Sequence, residues 1–405
     1  MHRQTETPSK RTPRGFLALL SRYSIQRWRQ GELGALPVIF GLVVIAAWFQ
    51  SQEPTFLSAR NISNLIVQIA ATGSVAVGIV LVLLLGEIDL SVGSVSGLCS
   101  ALLGVLLVNR GWPWWTAIIV ALATGTVIGA FQGAWFAFIG VPSFVVTLAG
   151  FLAWQGVQLR VLGSTGTVNI FEPHIDAIAQ SYLPESWGWV IGLVVAGIYL
   201  ITFWTLRMRR RRGGLSTTPT FVALARSLFV IALASAGVEI LSRFKGVPTA
   251  GIILFALVML FSFITTRTRF GRYIFAVGGN AEAARRSGIK VSRIRIIVFA
   301  LAGLMAATGG IIFVSRLTAA STQTGGGTFL LEAIAAAVIG GTSLFGGRGS
   351  AWSALLGALV IGSVSNGLDL MAQPPEIKYM VEGAILLAAV TIDAIARRSR
   401  VAAGR

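Results

Sequence analysis

Apolar stretches long enough to cross a bilayer recur along this chain, at 33–50, 64–86, 90–108, 114–139, 142–159, 187–206, 223–242, 248–266, 295–315, 329–346, 350–371 and 378–396. A helix of about twenty residues spans the ~30 Å hydrocarbon layer, and in that layer the backbone must satisfy its own hydrogen bonds. The pattern predicts an all-α polytopic membrane protein with about 12 apolar segments, of which 10–12 are true spans. Composition agrees: 55% of the residues are apolar and 12% charged, against roughly 25% charged in soluble domains.

A net charge of +18 raises the question of nucleic acid, which the placement of the cations answers. Of 33 Lys and Arg, seven fall in the first 30 residues, five in Arg207–Arg212, eight between Arg267 and Arg295 and four after Ala396. They cluster between apolar windows, which is the positive-inside pattern and not a nucleic-acid patch. Both termini are therefore expected in the cytoplasm, and no cleavable signal peptide is expected. The expected organisation is a basic tail (1–30), a membrane domain (31–396) and a second basic tail (397–405). Residues 207–222 and 267–294 become cytoplasmic loops and 160–186 an external one, while Arg207–Arg212 reads as a topology anchor against anionic lipid. The single Cys99 excludes an internal disulfide, and with His2 and His174 far away in sequence no metal site is expected.

GEIDLSVG at 86–93 and GGTSLFGG at 340–347 share Gly, Leu and Gly at matching positions, and each joins a window entering from outside to one that returns. This weak echo raises a duplicated hairpin, a device that transport folds use. The first copy carries Glu87 and Asp89 between two apolar segments. A charged side chain within a membrane helix is costly, about 2.5–3.5 kcal/mol at the centre. Two readings stand for Glu87, Asp89 and Ser91. In one, the acids lie at the inner membrane edge and Asp89 caps a helix beginning at Leu90. In the other, they line a path and offer acceptors to a hydroxyl-rich solute. Glu332, Asn366, Asp369 and Gln155 divide the same way, between a polar path and interhelical hydrogen bonds. Glu382, in the last window, is expected to meet Lys378 one helical turn earlier.

The loop GRYIFAVGGNAEAARRSGIKVSRIR at 271–295 differs in kind. Ala281–Arg286 favours helix, Asn280 suits its cap and Gly288 its end. That predicts a short basic helix between two spans, resting on lipid or docking into another protein.

GEIDLSVGS at 86–94, VPSFVVTLAG at 141–150, AVGGNAEAARRSGIKV at 276–291 and AVIGGTSLFGGRGS at 337–350 resemble segments of the permease subunits of bacterial sugar-import ATP-binding-cassette transporters, the ribose, xylose and arabinose group. The resemblance runs from about Leu33 to the last span. Glu87, QSYLPES at 180–186, the basic run 207–212 and FKGVPT at 244–249 are most similar to the xylose type. It implies a multi-pass subunit of the bacterial cytoplasmic membrane that moves a monosaccharide, D-xylose or a related pentose, by alternating access. The implied partners are an ATPase subunit, an external sugar-binding protein, a second permease copy and membrane lipid. EAARRSG at 282–288 is similar to the motif by which importer permeases dock on their ATPase, so Asn280, Glu282, Ala283, Ala284 and Gly288 are implied as coupling residues. Glu87, Asp89, Ser91, Glu332 and Asn366 are the candidate substrate pathway.

No Gly-x4-Gly-Lys-Ser/Thr sequence occurs, so ATP and Mg would be bound by the partner, and no catalytic residue or resident cofactor is expected in this chain. Other readings remain: an ion-coupled secondary sugar transporter, the same permease type carrying a nucleoside or another sugar, and an intramembrane enzyme built on Glu87 and Asp89. The last finds no His within the windows, and Cys99 stands there as a single thiol, so no metal or nucleophile constellation accompanies the acids.

Overall fold

The computed structural model describes residues 36–215, 217 and 219–402, so the expected 1–30 tail and residues 403–405 lie outside the described residues. Helices dominate. In chain order they are α1 (Leu36–Gln52), α2 (Ala59–Leu84), α3 (Val92–Gly104, continued by a π-helical turn Val105–Asn109), α4 (Trp114–Ile139), α5 (Ser143–Leu162) and α6 (Pro173–Gln180). There follow α7 (Glu185–Arg212), α8 (Thr220–Ser242), α9 (Thr249–Arg267), α10 (Arg269–Gly279), α11 (Ala281–Arg286) and α12 (Val291–Leu317). The last are α13 (Thr328–Ile339), α14 (Ala351–Leu370) and α15 (Pro375–Ala402).

Among the described residues nine helices, α2 to α5, α7 to α9, α12 and α14, are long and apolar enough to cross a membrane. The chain is thus an all-α polytopic membrane protein. α1 and α13 are shorter apolar helices. The twelve residues of α13 reach about 18 Å at 1.5 Å per residue, short of a ~30 Å layer. The expected window 329–346 is helical only to Ile339, because Gly340, Gly341, Gly346, Gly347 and Gly349 follow and four of them adopt positive φ.

Two small antiparallel ladders tie the connections at one end of the bundle. Thr167–Asn169 pairs with Ala319–Ser321, and Tyr182–Leu183 with Val247–Pro248. All four segments fall on the side that the alternation of windows and cations assigns to the outside. The loop expected at 160–186 therefore contains α6 and one strand of each ladder.

The core is built on α12, which packs along α4 and α2 with α3 beside it. Small residues let these backbones close up: a Cβ on Gly129 of α4 would overlap the Phe299 carbonyl of α12, and one on Gly303 the Gly125 carbonyl. α7 and α8 differ. They pack mainly on each other, at the margin of the bundle.

Two expected boundaries need correcting. Residues 207–212 are the last turns of α7 rather than loop, and the connection to α8 is only 213–219. Arginine is a good helix former and favours a helix C-terminus, so the run extends the helix until Gly213–Gly214. The helix after Asp89 starts at Val92, two residues later than expected.

Candidate functional site

The break between α2 and α3 carries Glu87, Asp89 and Ser91, and each is tied to a different neighbour. Glu87 Oε2 accepts a hydrogen bond from Ser143 Oγ at 2.8 Å, at the start of α5. Its Oε1 accepts from Arg295 Nη2 of α12 at 3.1 Å, and the same guanidinium lies 4.3 Å from the centroid of the Phe136 ring on α4. Asp89 is 4% exposed. Its Oδ1 accepts from the Ser91 amide at 2.8 Å and the Ser91 hydroxyl at 2.6 Å, and the Val92 amide also donates to it. The carboxylate thus satisfies the first free amides of α3, as a cap does. Thr147 of α5 braces the same turn, accepting from the Leu90 amide at 3.1 Å.

Ser91 Oγ also lies 2.8 Å from the Gln132 side-chain oxygen of α4. Gln132 Nε2 and Trp154 Nε1 are buried without a hydrogen-bond partner among the described residues, and both border Gly150. Interchanging oxygen and nitrogen of this amide gives Ser91 a donor and turns an acceptor toward the side that holds the indole.

Three turns meet at this end of the bundle. The Gly347 amide, from the turn between α13 and α14, donates to the Leu84 carbonyl at 2.9 Å. A Cβ on Gly278 of α10 would overlap that same carbonyl, and one on Gly346 would press on Gly86 and Gly278. The echoing segments 86–93 and 340–347 therefore touch directly, and the end of α10 that leads into α11 meets the second of them and Leu84 beside the first.

α11 has the form its sequence predicts. Asn280 Oδ1 accepts from the Ala283 amide at 2.9 Å as N-cap, Ala284 is 4% exposed and anchors the helix, and Gly288 ends it at φ +83°. Glu282 and Ala283 are exposed, with Glu282 paired to Arg285 and Arg286 of the same helix. The short helix is held from its inner face and presents a charged outer face.

Glu332 lies elsewhere, on the wall of a polar cavity of ≈ 310 Å³, at the low end of the roughly 300–1,000 Å³ typical of small-molecule sites. Its lining comes from α2 (Gln68, Thr72), α12 (Arg316), the non-helical 322–327 segment (Gln323), α13 (Thr328, Glu332) and α14 (Ser365, Asp369). Arg316 and Glu332 attract one another electrostatically, and the Thr328 hydroxyl donates to Glu332. Asn366 is 3% exposed and stands behind the wall. Its Nδ2 donates to Gln68 Oε1 at 3.1 Å, and its Oδ1 accepts from Asn61 Nδ2 at 2.8 Å. Glu382 is hydrogen-bonded by Ser365 and lies near Glu332 and Lys378. Lys378 itself bonds Asp369, so its direct partner is on α14 rather than one turn along its own helix.

The non-helical segment beside the cavity is secured from α5 and α3. Gln158 Nε2 donates to the carbonyls of Ser321 at 2.9 Å and Thr324 at 3.0 Å, while Thr324 and Gly325 pack on Gly97 and Gly93. Irregular backbone at membrane depth is tolerated where protein satisfies it and it borders a cavity. The arrangement offers amide, hydroxyl, carboxylate and guanidinium groups to a polar solute within an apolar bundle.

A family model described as branched-chain amino acid transport system / permease component matches residues 61–390. The chain belongs to this permease family. It is 42% identical over 363 residues to the xylose transport system permease protein XylH of Escherichia coli strain K12, covering 90% of this chain and 91% of that one. Haemophilus influenzae XylH is 39% identical over 364 residues, covering 88% and 95%. The ribose import permease protein RbsC of Escherichia coli strain K12 is 31% identical over 372 residues, covering 92% and 96%. No solved structure matches.

The permease's candidate residues thus divide into two groups. Glu87, Asp89 and Ser91 gather at the three-turn junction beside α11, and Glu332 and Asn366 gather at the cavity. Gln155 is half-buried and outside the cavity. Arg295, Ser143, Gln132, Gln68 and Arg316 were not singled out from sequence. Gln68 and Gln132 carry the signal already used for Glu332, a polar side chain in an apolar window, whereas Arg316 lies one residue past the window 295–315.

Proposed function

We propose that this permease is the membrane subunit of an ATP-binding-cassette importer that carries D-xylose or a related pentose across the bacterial cytoplasmic membrane by alternating access. The observation that carries the reading is the 42% identity to a xylose permease over 90% of the chain. The cavity supports it: a pentose presents hydroxyl groups that Gln68, Gln323, Glu332 and Arg316 are chemically suited to bind. Asn366 positions Gln68 for that contact. Two copies of the subunit, an external sugar-binding protein and a partner ATPase complete the transporter, with ATP and Mg held by the ATPase.

In this reading α11 enters a cleft of the ATPase, with Glu282 and Ala283 on the docking face and Asn280, Ala284 and Gly288 maintaining its shape. Closure of the ATPase moves α11, and the contacts of Gly278 with Leu84 and Gly347 pass the movement to the tips of both helix pairs. Glu87, Asp89 and Ser91 act in this linkage as positioning residues, since their bonds run to α3, α4, α5 and α12.

The test is uptake of labelled xylose into inverted-topology-controlled vesicles that hold this subunit, its ATPase and the binding protein. Uptake that needs ATP and survives an uncoupler is expected. Uptake abolished by the uncoupler and indifferent to ATP would replace this reading with an ion-coupled carrier, and an intact complex that ignores xylose would redirect it to a nucleoside or another sugar.

A further inference from the structure

α7 and α8 form a hairpin at the margin of the bundle, and only 6% of the apolar window of α7 is buried. Between the two helices runs an apolar slot of ≈ 190 Å³, walled by Gly192, Ala196, Gly197, Ile231, Ala234 and Val238. A slot of this size suits a flexible methylene chain and not a second helix about 10 Å across.

One end of the slot is basic. Just beyond it Arg226, exposed and six residues into α8, donates from Nε to the Tyr199 hydroxyl at 2.7 Å. Its guanidinium lies 4.9 Å from the Phe203 ring centroid and 5.6 Å from that of Tyr199. The aromatic pair thereby holds the cation beside the slot through its Nε and its guanidinium face. Closer to the end of α7, Arg207 is 5% exposed, donates to Thr220 Oγ1 at 3.0 Å and stacks on Trp204 at 5.5 Å. Arg209–Arg212 are exposed beyond it, and no Asp or Glu occurs from 186 to 238. A general anchoring role accounts for the exposed run; it does not account for Arg226 being fixed by two rings inside an apolar helix.

The geometry points to a binding site for one anionic glycerophospholipid of the surrounding membrane, an acyl chain in the α7–α8 slot and its phosphodiester on Arg226 and the Arg209–Arg212 turn. Basic mouths between membrane helices at the cytoplasmic side favour such headgroups. A second copy of this chain is a poorer occupant, since a two-fold contact through this hairpin brings two uncompensated arginine clusters toward one another.

The test is native mass spectrometry of the full chain, purified in detergent and offered equal amounts of phosphatidylglycerol and phosphatidylcholine with identical acyl chains. Preferential retention of phosphatidylglycerol is expected. Arg226→Gln lowers that retention about fivefold, the worth of one cation at an anionic surface. Gly197→Leu lowers it as well by occupying the slot, and a Cβ at Gly197 meets nothing within 4 Å, so this variant is compatible with the fold. Arg272→Gln, exposed on α10, leaves it unchanged. Equal retention of the two lipids, or phosphatidylglycerol retention indifferent to both variants, overturns the site. So does loss of a dimer in Gly197→Leu with lipid retention intact, which would assign the slot to a second copy.

Discussion

Arg295 on α12 grips Glu87, 208 residues earlier in the chain, at 3.1 Å across the break between α2 and α3. Both side chains are mostly buried, at 22% and 16% exposure. The pair joins the longest packed helix of the core to the turn that touches the α10–α11 loop.

Removing one partner leaves a mostly but not fully buried charge behind, which places the cost between that of exposed and fully buried pairs, about 1–3 kcal/mol. Glu87→Gln is therefore expected to lower thermal stability in detergent, and Glu87→Gln combined with Arg295→Gln to recover part of the loss. A double mutant whose loss equals the sum of the two single losses would show that the pair is not coupled.

Gly278→Val is expected to abolish the folded state or displace the α10–α11 loop, because its side chain would occupy the place of the Leu84 carbonyl. Size-exclusion profiles and limited proteolysis of the loop report this. A variant with wild-type profiles and transport would remove Gly278 from the proposed linkage.

Glu282→Lys is expected to leave membrane insertion and folding intact while ending co-purification with the ATPase. Its ion pairs are exposed and contribute little to stability. Asn280→Ala, which loses the cap of α11, should cost about 1 kcal/mol and weaken coupling to a lesser degree. Normal complex assembly in Glu282→Lys would sink the docking role.

Glu332→Gln should reduce xylose uptake about ten- to a hundredfold, the worth of a hydrogen bond to a charged group, with the complex still assembled. Asn366→Ala should act through Gln68 and raise the half-saturating concentration more than it lowers the maximal rate. If both variants transport normally, the cavity is not the sugar path.

Asp89→Asn should be milder than Asp89→Ala. The amide oxygen still accepts from Ser91 and Val92, whereas alanine strands the first amides of α3 and costs about 1 kcal/mol or more. Equal effects on stability would mean that the charge, rather than the cap, is what this position supplies.

Much of this molecule is legible in the chain itself. Recurring apolar windows and clustered cations establish helices and their alternation, because a bilayer permits few other ways to satisfy a backbone. Asn280 and Gly288 bound α11 through bonds that reach only three residues along the chain, so its limits follow from local sequence. The shortness of α13 and the helical arginine run were less visible, since hydropathy alone registers neither a glycine turn nor a propensity that persists past the apolar residues.

What the tertiary structure alone decides is which polar residues meet. Glu87 and Glu332 look alike as acids in apolar windows, yet one is bound by Arg295 and Ser143 and the other borders a cavity shared by α2, α12, α13 and α14. Gln158 holds carbonyls 163 and 166 residues away, and Asn366 reaches Gln68 across 298. Such partners are set by how helices cross and how closely small residues let them approach, and no periodicity within one helix encodes the face of another.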